Sequence, residues 1–309
     1  MNAMFQRELL FVTGKGGVGK TTVALALALA AGREGRRVAL CEVAGQAHAP
    51  RLYGVAAGAA GSERGLTECV WATTVEPLRA LEEWAGHVVG SRRLVHVLAR
   101  SNAFHAFVAA APGARELLAM TKAWELGRRE RWTSGARRYD LVVVDGPASG
   151  HGVGMLRTPH TFAEIARVGP VATQARRVAA LLEDPARSAI VVVAQAAEMP
   201  VSEALELESR VHGALARDVD RIVVNGVLPR RFSGHDVQRL AAANGRVDPA
   251  VAAAVRSQAG QAAAQQGQLR RLRREAGAPV ATLPFLAVPE LGRAELDGLA
   301  SVLGERLER

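Results

Sequence analysis

The sequence predicts an α/β fold, a doubly wound and mostly parallel sheet carrying one helical insertion. Three observations predict it. Short apolar runs recur along the chain at Leu9 to Val12, Val38 to Cys41, Leu141 to Val144, Ala189 to Ala194, Arg221 to Asn225 and Pro279 to Leu283. They are continuous rather than alternating, as expected for strands buried on both faces. Helical stretches separate most of them, and parallel neighbours require such crossovers. Between about residues 56 and 138, however, no strand pattern recurs, and the periodicity is helical.

The elements follow in order. Leu9-Leu10-Phe11-Val12 forms a first strand ending at Thr13-Gly14. Thr21 to Gly32 is a helix, apolar nearly all round, so it belongs inside a layered structure. Val38-Ala39-Leu40-Cys41 is the second strand, and strand, helix and strand make a βαβ unit with parallel strands. The stretch from Ala56 to Arg138 is broken at Pro77 and at Ala111-Pro112-Gly113, and it holds all four tryptophans, Trp71, Trp84, Trp124 and Trp132. A connection of that length needs structure of its own, so it reads as a helical insertion. Tyr139 to Asp145 is a strand ending in an acid, and Ser202 to Ala216 a helix. Ala241 to Ala276, rich in Ala, Gln and Arg, is either a long exposed helix or a mobile segment. The whole of 1–309 reads as one domain.

Bulk properties narrow the class. With 49% apolar residues and few aromatics, the chain can bury a large core of Ala, Val and Leu. The net charge is +9, but the arginines are dispersed and often sit beside glutamates, as on a solvated surface. The two cysteines, Cys41 and Cys69, form no CxxC pair, so neither a zinc clamp nor a disulfide framework is expected. The apolar run Val23 to Ala31 is too short for a bilayer, and no leader pattern opens the chain. A cytoplasmic location is expected.

Chemistry concentrates after the first strand. Gly14-Lys15-Gly16-Gly17-Val18-Gly19-Lys20-Thr21-Thr22 meets the full phosphate-loop pattern in a strand–loop–helix context. Glycines let backbone N–H groups converge on phosphate oxygens, and the helix presents its positive end to the anion. The expected ligand is Mg-ATP. Lys20 is placed on the β- and γ-phosphates and the Thr21 hydroxyl on Mg²⁺, with Asp145 as the magnesium-associated acid, expected to act through water. The only lysines are Lys15, Lys20 and Lys122, so two of three sit in this loop.

Lys15 extends the pattern. The loop resembles the deviant phosphate loop of dimeric ATPases, in which the first lysine reaches the partner's nucleotide. The resemblance therefore implies catalytic roles for Lys15, Lys20 and Asp145 and a dimer that closes around nucleotide. Asp145-Gly146-Pro147-Ala148-Ser149-Gly150-His151 resembles the second switch of the ArsA-like branch, and Leu156 to Pro159 continues the match. Val223-Val224-Asn225 is similar to that family's adenine-reading strand, and Leu283-Pro284-Phe285 to its adenine-flanking loop. The resemblance thus adds Asn225, Pro284 and Phe285 to a nucleotide site of Gly14, Gly16, Gly17, Val18, Gly19, Lys20, Thr21 and Thr22. His151 is expected to be a switch-loop hydrogen-bonding residue.

Three departures follow. The family's first switch has an acid followed by proline; here Cys41-Glu42-Val43-Ala44-Gly45-Gln46 puts Ala44 in the acid's place. Glu42 lies two residues early, a displacement of about 6–7 Å along a strand. Hydrolysis is therefore expected to be slow or absent while binding persists. Two distant cysteines do not make an arsenite site. The insertion contains one methionine, Met120, and its apolar residues Leu94, Val97, Leu98, Phe104, Phe107, Val108, Leu117 and Leu118 line a client groove or pack on their own core. The leading expectation is a nucleotide switch working as a homodimer or as a heterodimer with a second ArsA-like subunit, coupled to an unknown protein client. A non-hydrolysing scaffold subunit and a DNA- or membrane-partition ATPase are the alternatives. Nucleic acid is the least favoured partner, peripheral membrane contact stays open, and Leu269 to Arg274 reads as a charged helix face.

Overall fold

Continuous apolar runs need cover on both sides, and that requirement sets the architecture. The computed structural model describes residues 2–43, 47–56, 58, 59, 61–89, 112–133, 135–243 and 247–307. The strands are β1 (Leu9–Gly14), β2 (Val38–Glu42), β3 (Arg64–Gly65), β4 (Val70–Thr74), β5 (Leu141–Ala148), β6 (Ser188–Gln195), β7 (Arg221–Val227) and β8 (Val280–Pro284). They form one eight-stranded sheet in the order β3-β4-β2-β5-β1-β6-β7-β8. All pairings are parallel except β3 with β4. β1 and β2 are parallel, as expected, yet β5 lies between them. The chain winds outward in both directions from β1, so a crevice opens at the carboxyl ends of the central strands.

Helices cover both faces. On one side lie α1 (Lys20–Arg33), α2 (His48–Leu52) and the C-terminal α10 (Arg293–Leu307). Their Val23, Leu25, Leu27, Ala49, Leu296 and Leu303 are buried in the same cluster as Leu10, Val12 and Leu40 of the sheet. The other side carries α4 (Ala114–Leu126), α5 (Ser149–Ala166), α6 (Pro170–Glu183), α7 (Glu198–Leu215) and α9 (Pro249–Glu275). There Met120, Leu156, Leu182, Val201 and Leu272 join Phe11, Val142 and Val192. α1 is buried from Val23 to Ala31, which accounts for a helix with no polar stripe. The remaining helices are α3 (Pro77–Val89) and α8 (Gly234–Ala241). Among the described residues, no helix is long and apolar enough to cross a membrane.

The wholly helical reading of 56–138 is corrected at its start. β3 and β4 occupy 64–74, and β4 extends the sheet through register pairs Val38↔Val70 to Glu42↔Thr74. Val70-Trp71-Ala72-Thr73-Thr74 is five residues long, with Trp71 and Thr74 only partly covered. It offers β-formers without the continuous apolar run that marked the other strands. The rest is helical where described. Pro77 does not break a helix but opens α3 at a position where proline is well tolerated. Leu117, Leu118 and Met120 are buried, as own-core packing requires. Ala111 and the apolar candidates from Leu94 to Val108 lie outside the described residues. The Ala- and Gln-rich region is the long α9, with only Ala252, Ala262, Leu269 and Leu272 buried.

Candidate nucleotide site

The loop between β1 and α1 is built by close approach. A Cβ on Gly14 would run into the carbonyl oxygen of Val193 on β6. One on Gly19, at φ 90°, would strike the Asn225 amide. Both positions therefore exclude side chains, whereas Gly16 and Gly17 face open space and leave their backbone accessible. Val18 is buried and anchors the loop. The α1 N-terminus has no side-chain cap, so its first N–H groups are left for an anion. Thr22 stands in that first turn. The Lys20 Nζ donates to the Lys15 carbonyl at 2.9 Å, closing the loop on itself. Burial lowers the Lys20 pKa, with the charge of Asp145 opposing the shift. Lys20 is thus a partly desolvated cation with no carboxylate of a described residue bonded to it.

Asp145 lies on β5, in register with Val12 of β1. Its Oδ2 accepts a 2.6 Å hydrogen bond from the Thr21 hydroxyl. Its Oδ1 is buried with no hydrogen-bond partner among the described residues. Burial raises the Asp145 pKa, opposed by the Thr21 bond and by Lys20. An orphaned carboxylate oxygen beside a hydroxyl is an oxygen donor set that fits a hard divalent cation such as Mg²⁺.

Glu42 is the neighbour of Asp145 across β2 and β5. It is 2% exposed, and its Oε1 accepts from the backbone N–H groups of His48 at 2.7 Å and Ala49 at 3.0 Å. The carboxylate therefore ties the end of β2 to the start of α2, on either side of Ala44, Gly45 and Gln46, which lie outside the described residues. Its Oε2 is buried without a partner among the described residues. Burial pushes the Glu42 pKa up to about 7, aided by the charge of Asp145 and opposed by the two N–H bonds. A raised folded pKa means the native state holds a proton that the unfolded state releases. The resulting stability is complete below the ordinary 4.5 and is lost as pH rises through about 7. Over that window the loss is on the order of 3 kcal/mol. Glu42→Gln keeps a capping oxygen without the charge. Its denaturation midpoint is expected to match wild type near pH 4.5 and to exceed it above pH 7; parallel pH profiles would refute this.

The other expected residues gather at the same sheet edge. Asn225, on β7, donates from Nδ2 to the Val18 carbonyl at 3.1 Å and so holds the loop from the side. Pro284 ends β8 opposite Val227, and the Phe285 N–H donates to the Val227 carbonyl at 2.8 Å. Phe285 is 51% exposed beyond that strand end. Lys15 is exposed and makes an ion pair with Glu203 of α7 at 2.6 Å. Nothing in the sequence pointed to Glu203; it reaches the loop only because β6 and α7 follow β1 in space. His151, exposed in the first turn of α5, makes no side-chain hydrogen bond with a described residue. The cysteines are separated: Cys41 pairs with Thr73 while Cys69 precedes Val70, about 13 Å away by strand rise. Burial pushes the Cys41 thiol up to about 12, so it is no ready thiolate.

A parallel sheet wound about a strand–phosphate loop–helix unit, with a strand-end acid bonded to the loop threonine, defines the phosphate-loop nucleotide-binding class. Within that class the chain belongs to the anion-transporting ATPase family, ArsA_ATPase, whose model matches residues 7–173. It is 30% identical over 249 residues to the ATPase BagA of Mycobacterium tuberculosis, covering 78% of this chain and 71% of that protein. It is 25% identical over 254 residues to the arsenical pump-driving ATPase of Escherichia coli, covering 74% of this chain but 40% of that protein. A putative arsenical pump-driving ATPase of Halobacterium salinarum is also 25% identical, over 74% of this chain and 36% of its own length.

Proposed function

We propose that the chain binds Mg-ATP and works as a dimeric nucleotide switch that couples nucleotide state to a protein client or partner subunit. The observation that carries this reading is the Thr21–Asp145 pair beside a desolvated Lys20, at an α1 N-terminus with no side-chain cap. Backbone N–H groups of Gly16 to Lys20 cradle the phosphate chain, and Lys20 neutralises its terminal oxygens. Thr21, and Asp145 through water, would hold magnesium, which would supply charge neutralisation at the phosphates. Asn225, Pro284 and Phe285 flank the base. Lys15 leaves Glu203 to meet the partner's nucleotide. The Gly146–His151 switch runs directly into α5, which packs against α4, α6 and α7, so a shift of the switch is transmitted to the helical layer.

A second reading has a specific observation behind it. Glu42 is committed to α2, and Ala44 occupies the place of the family's water-orienting acid. Both favour a subunit that holds ATP without turning it over, paired with a catalytic relative. Single-turnover hydrolysis beside direct ATP binding separates the readings. Ala44→Asp is expected to raise turnover by about tenfold or more, since one positioned acid–base group contributes at least that much. Unchanged turnover with intact ATP binding would sink the alignment that puts Ala44 in the acid's place.

A further inference from the structure

The end of the sheet opposite the phosphate loop contains a cavity of about 820 Å³. Its walls are the residues just before β1, β2, β5 and β6, together with the turn that follows α4. Six arginines line it, Arg36, Arg37, Arg128, Arg129, Arg138 and Arg187, against three acids, Glu8, Glu130 and Asp140. Two arginines are neutralised in place. Arg37 forks onto Asp140 through bonds of 2.9 and 3.2 Å, and Arg187 forks onto Glu8 at 2.8 and 2.9 Å. Among the described residues, the other four retain free capacity. Arg36 donates one bond, from Nη2 to the Asp140 carbonyl at 2.7 Å, and its Nε is shielded from solvent with no partner. Arg128 lies over the Trp124 ring, 4.8 Å from the centroid, and its guanidinium makes no hydrogen bond to a described residue. Arg129 and Arg138 form no ion pair with a described residue.

Dispersed arginines on a convex surface are simply solvated. Here they converge on one concave volume within the size range of small-molecule sites, where their like charges sum to a common positive potential. A planar guanidinium fork matches phosphate oxygens in pairs. β1, at six residues, spans about 20 Å, so a ligand here cannot be the nucleotide held at the loop.

We propose that this cavity binds a second, multiply charged phosphate-bearing anion, with Arg36, Arg128, Arg129 and Arg138 as its counter-charges. The test uses the full chain with its phosphate loop saturated by magnesium and a non-hydrolysable ATP analogue. Inorganic tripolyphosphate is titrated calorimetrically into wild type and into the double variant Arg129→Glu/Arg138→Glu. Both residues are exposed, so folding is expected to be retained. The variant is expected to bind tripolyphosphate about tenfold more weakly or worse, with analogue affinity unchanged. A parallel arm sediments the protein with phosphatidate-containing or pure phosphatidylcholine vesicles. Phosphatidate binding that the double variant abolishes supports the same site with a lipid headgroup as the source of phosphate. Three results would overturn the proposal: no binding of either phosphate probe, binding that the variant leaves intact, or binding of polyglutamate in preference to both.

Discussion

Lys20→Ala is expected to weaken Mg-ATP binding by about two orders of magnitude, with little change in the thermal midpoint. One charge-assisted hydrogen bond to a phosphate contributes about 1.5–3 kcal/mol, and partial burial keeps solvent from screening it. A loss of about 2.7 kcal/mol is a hundredfold in affinity. Stability should hold because the folded chain already carries Lys20 at a cost: burial lowers its pKa, and its bond goes to a neighbouring carbonyl. Calorimetric titration of the two proteins with Mg-ATP decides the matter, and equal affinities would remove Lys20 from the phosphate site. Lys15→Ala gives the contrast. Lys15 is half exposed and held by Glu203, so its loss should spare affinity in the isolated chain and act on nucleotide-driven association.

How much of this was legible in the sequence depends on whether the physics is local. Strands buried on both faces are local signals, and β1, β2, β5, β6, β7 and β8 all fall on apolar runs visible in the chain. The glycines are legible for the same reason, since Gly14 and Gly19 meet backbone or side-chain atoms that leave no room for a Cβ. β4 was hidden because a short, partly covered strand has no such run. Glu42 was misleading in another way. As a sequence feature it is a displaced catalytic candidate; in the fold its carboxylate caps α2. Glu203 and the arginine cavity depend wholly on topology. Arg36, Arg128 and Arg187 are scattered along the chain and read as surface charge until the N-terminal ends of four parallel strands bring them together. Strand order is what sequence periodicity does not carry.

Arg131→Ala is expected to destabilise the protein by about 3–5 kcal/mol, the usual cost of stranding one member of a buried ion cluster. Arg131 and Glu125 have side chains 4% and 1% exposed, and they meet at 2.6 Å. Arg131 also bonds Glu63 at 2.8 Å, while Glu63 accepts from the Tyr139 hydroxyl at 2.7 Å. Lys122 joins Glu125 at 2.9 Å to Glu83 of α3 at 2.6 Å. The cluster thus fastens α3 and α4 to the segments flanking β3 and β5. Burial alone would raise the Glu125 pKa; Lys122 and Arg131 outweigh it, and the pKa is lowered. A lowered folded pKa contributes stability above the ordinary glutamate value of 4.5, lost as pH falls through the lowered one. The gap between wild type and Arg131→Ala should therefore be widest near neutrality and narrow in acid. Placed in a Glu125→Gln background, the same substitution should cost less, because the fully buried Glu125 charge is no longer there to be stranded. Additive losses in that double-mutant cycle, measured by chemical denaturation, would show that Arg131 is not coupled to Glu125.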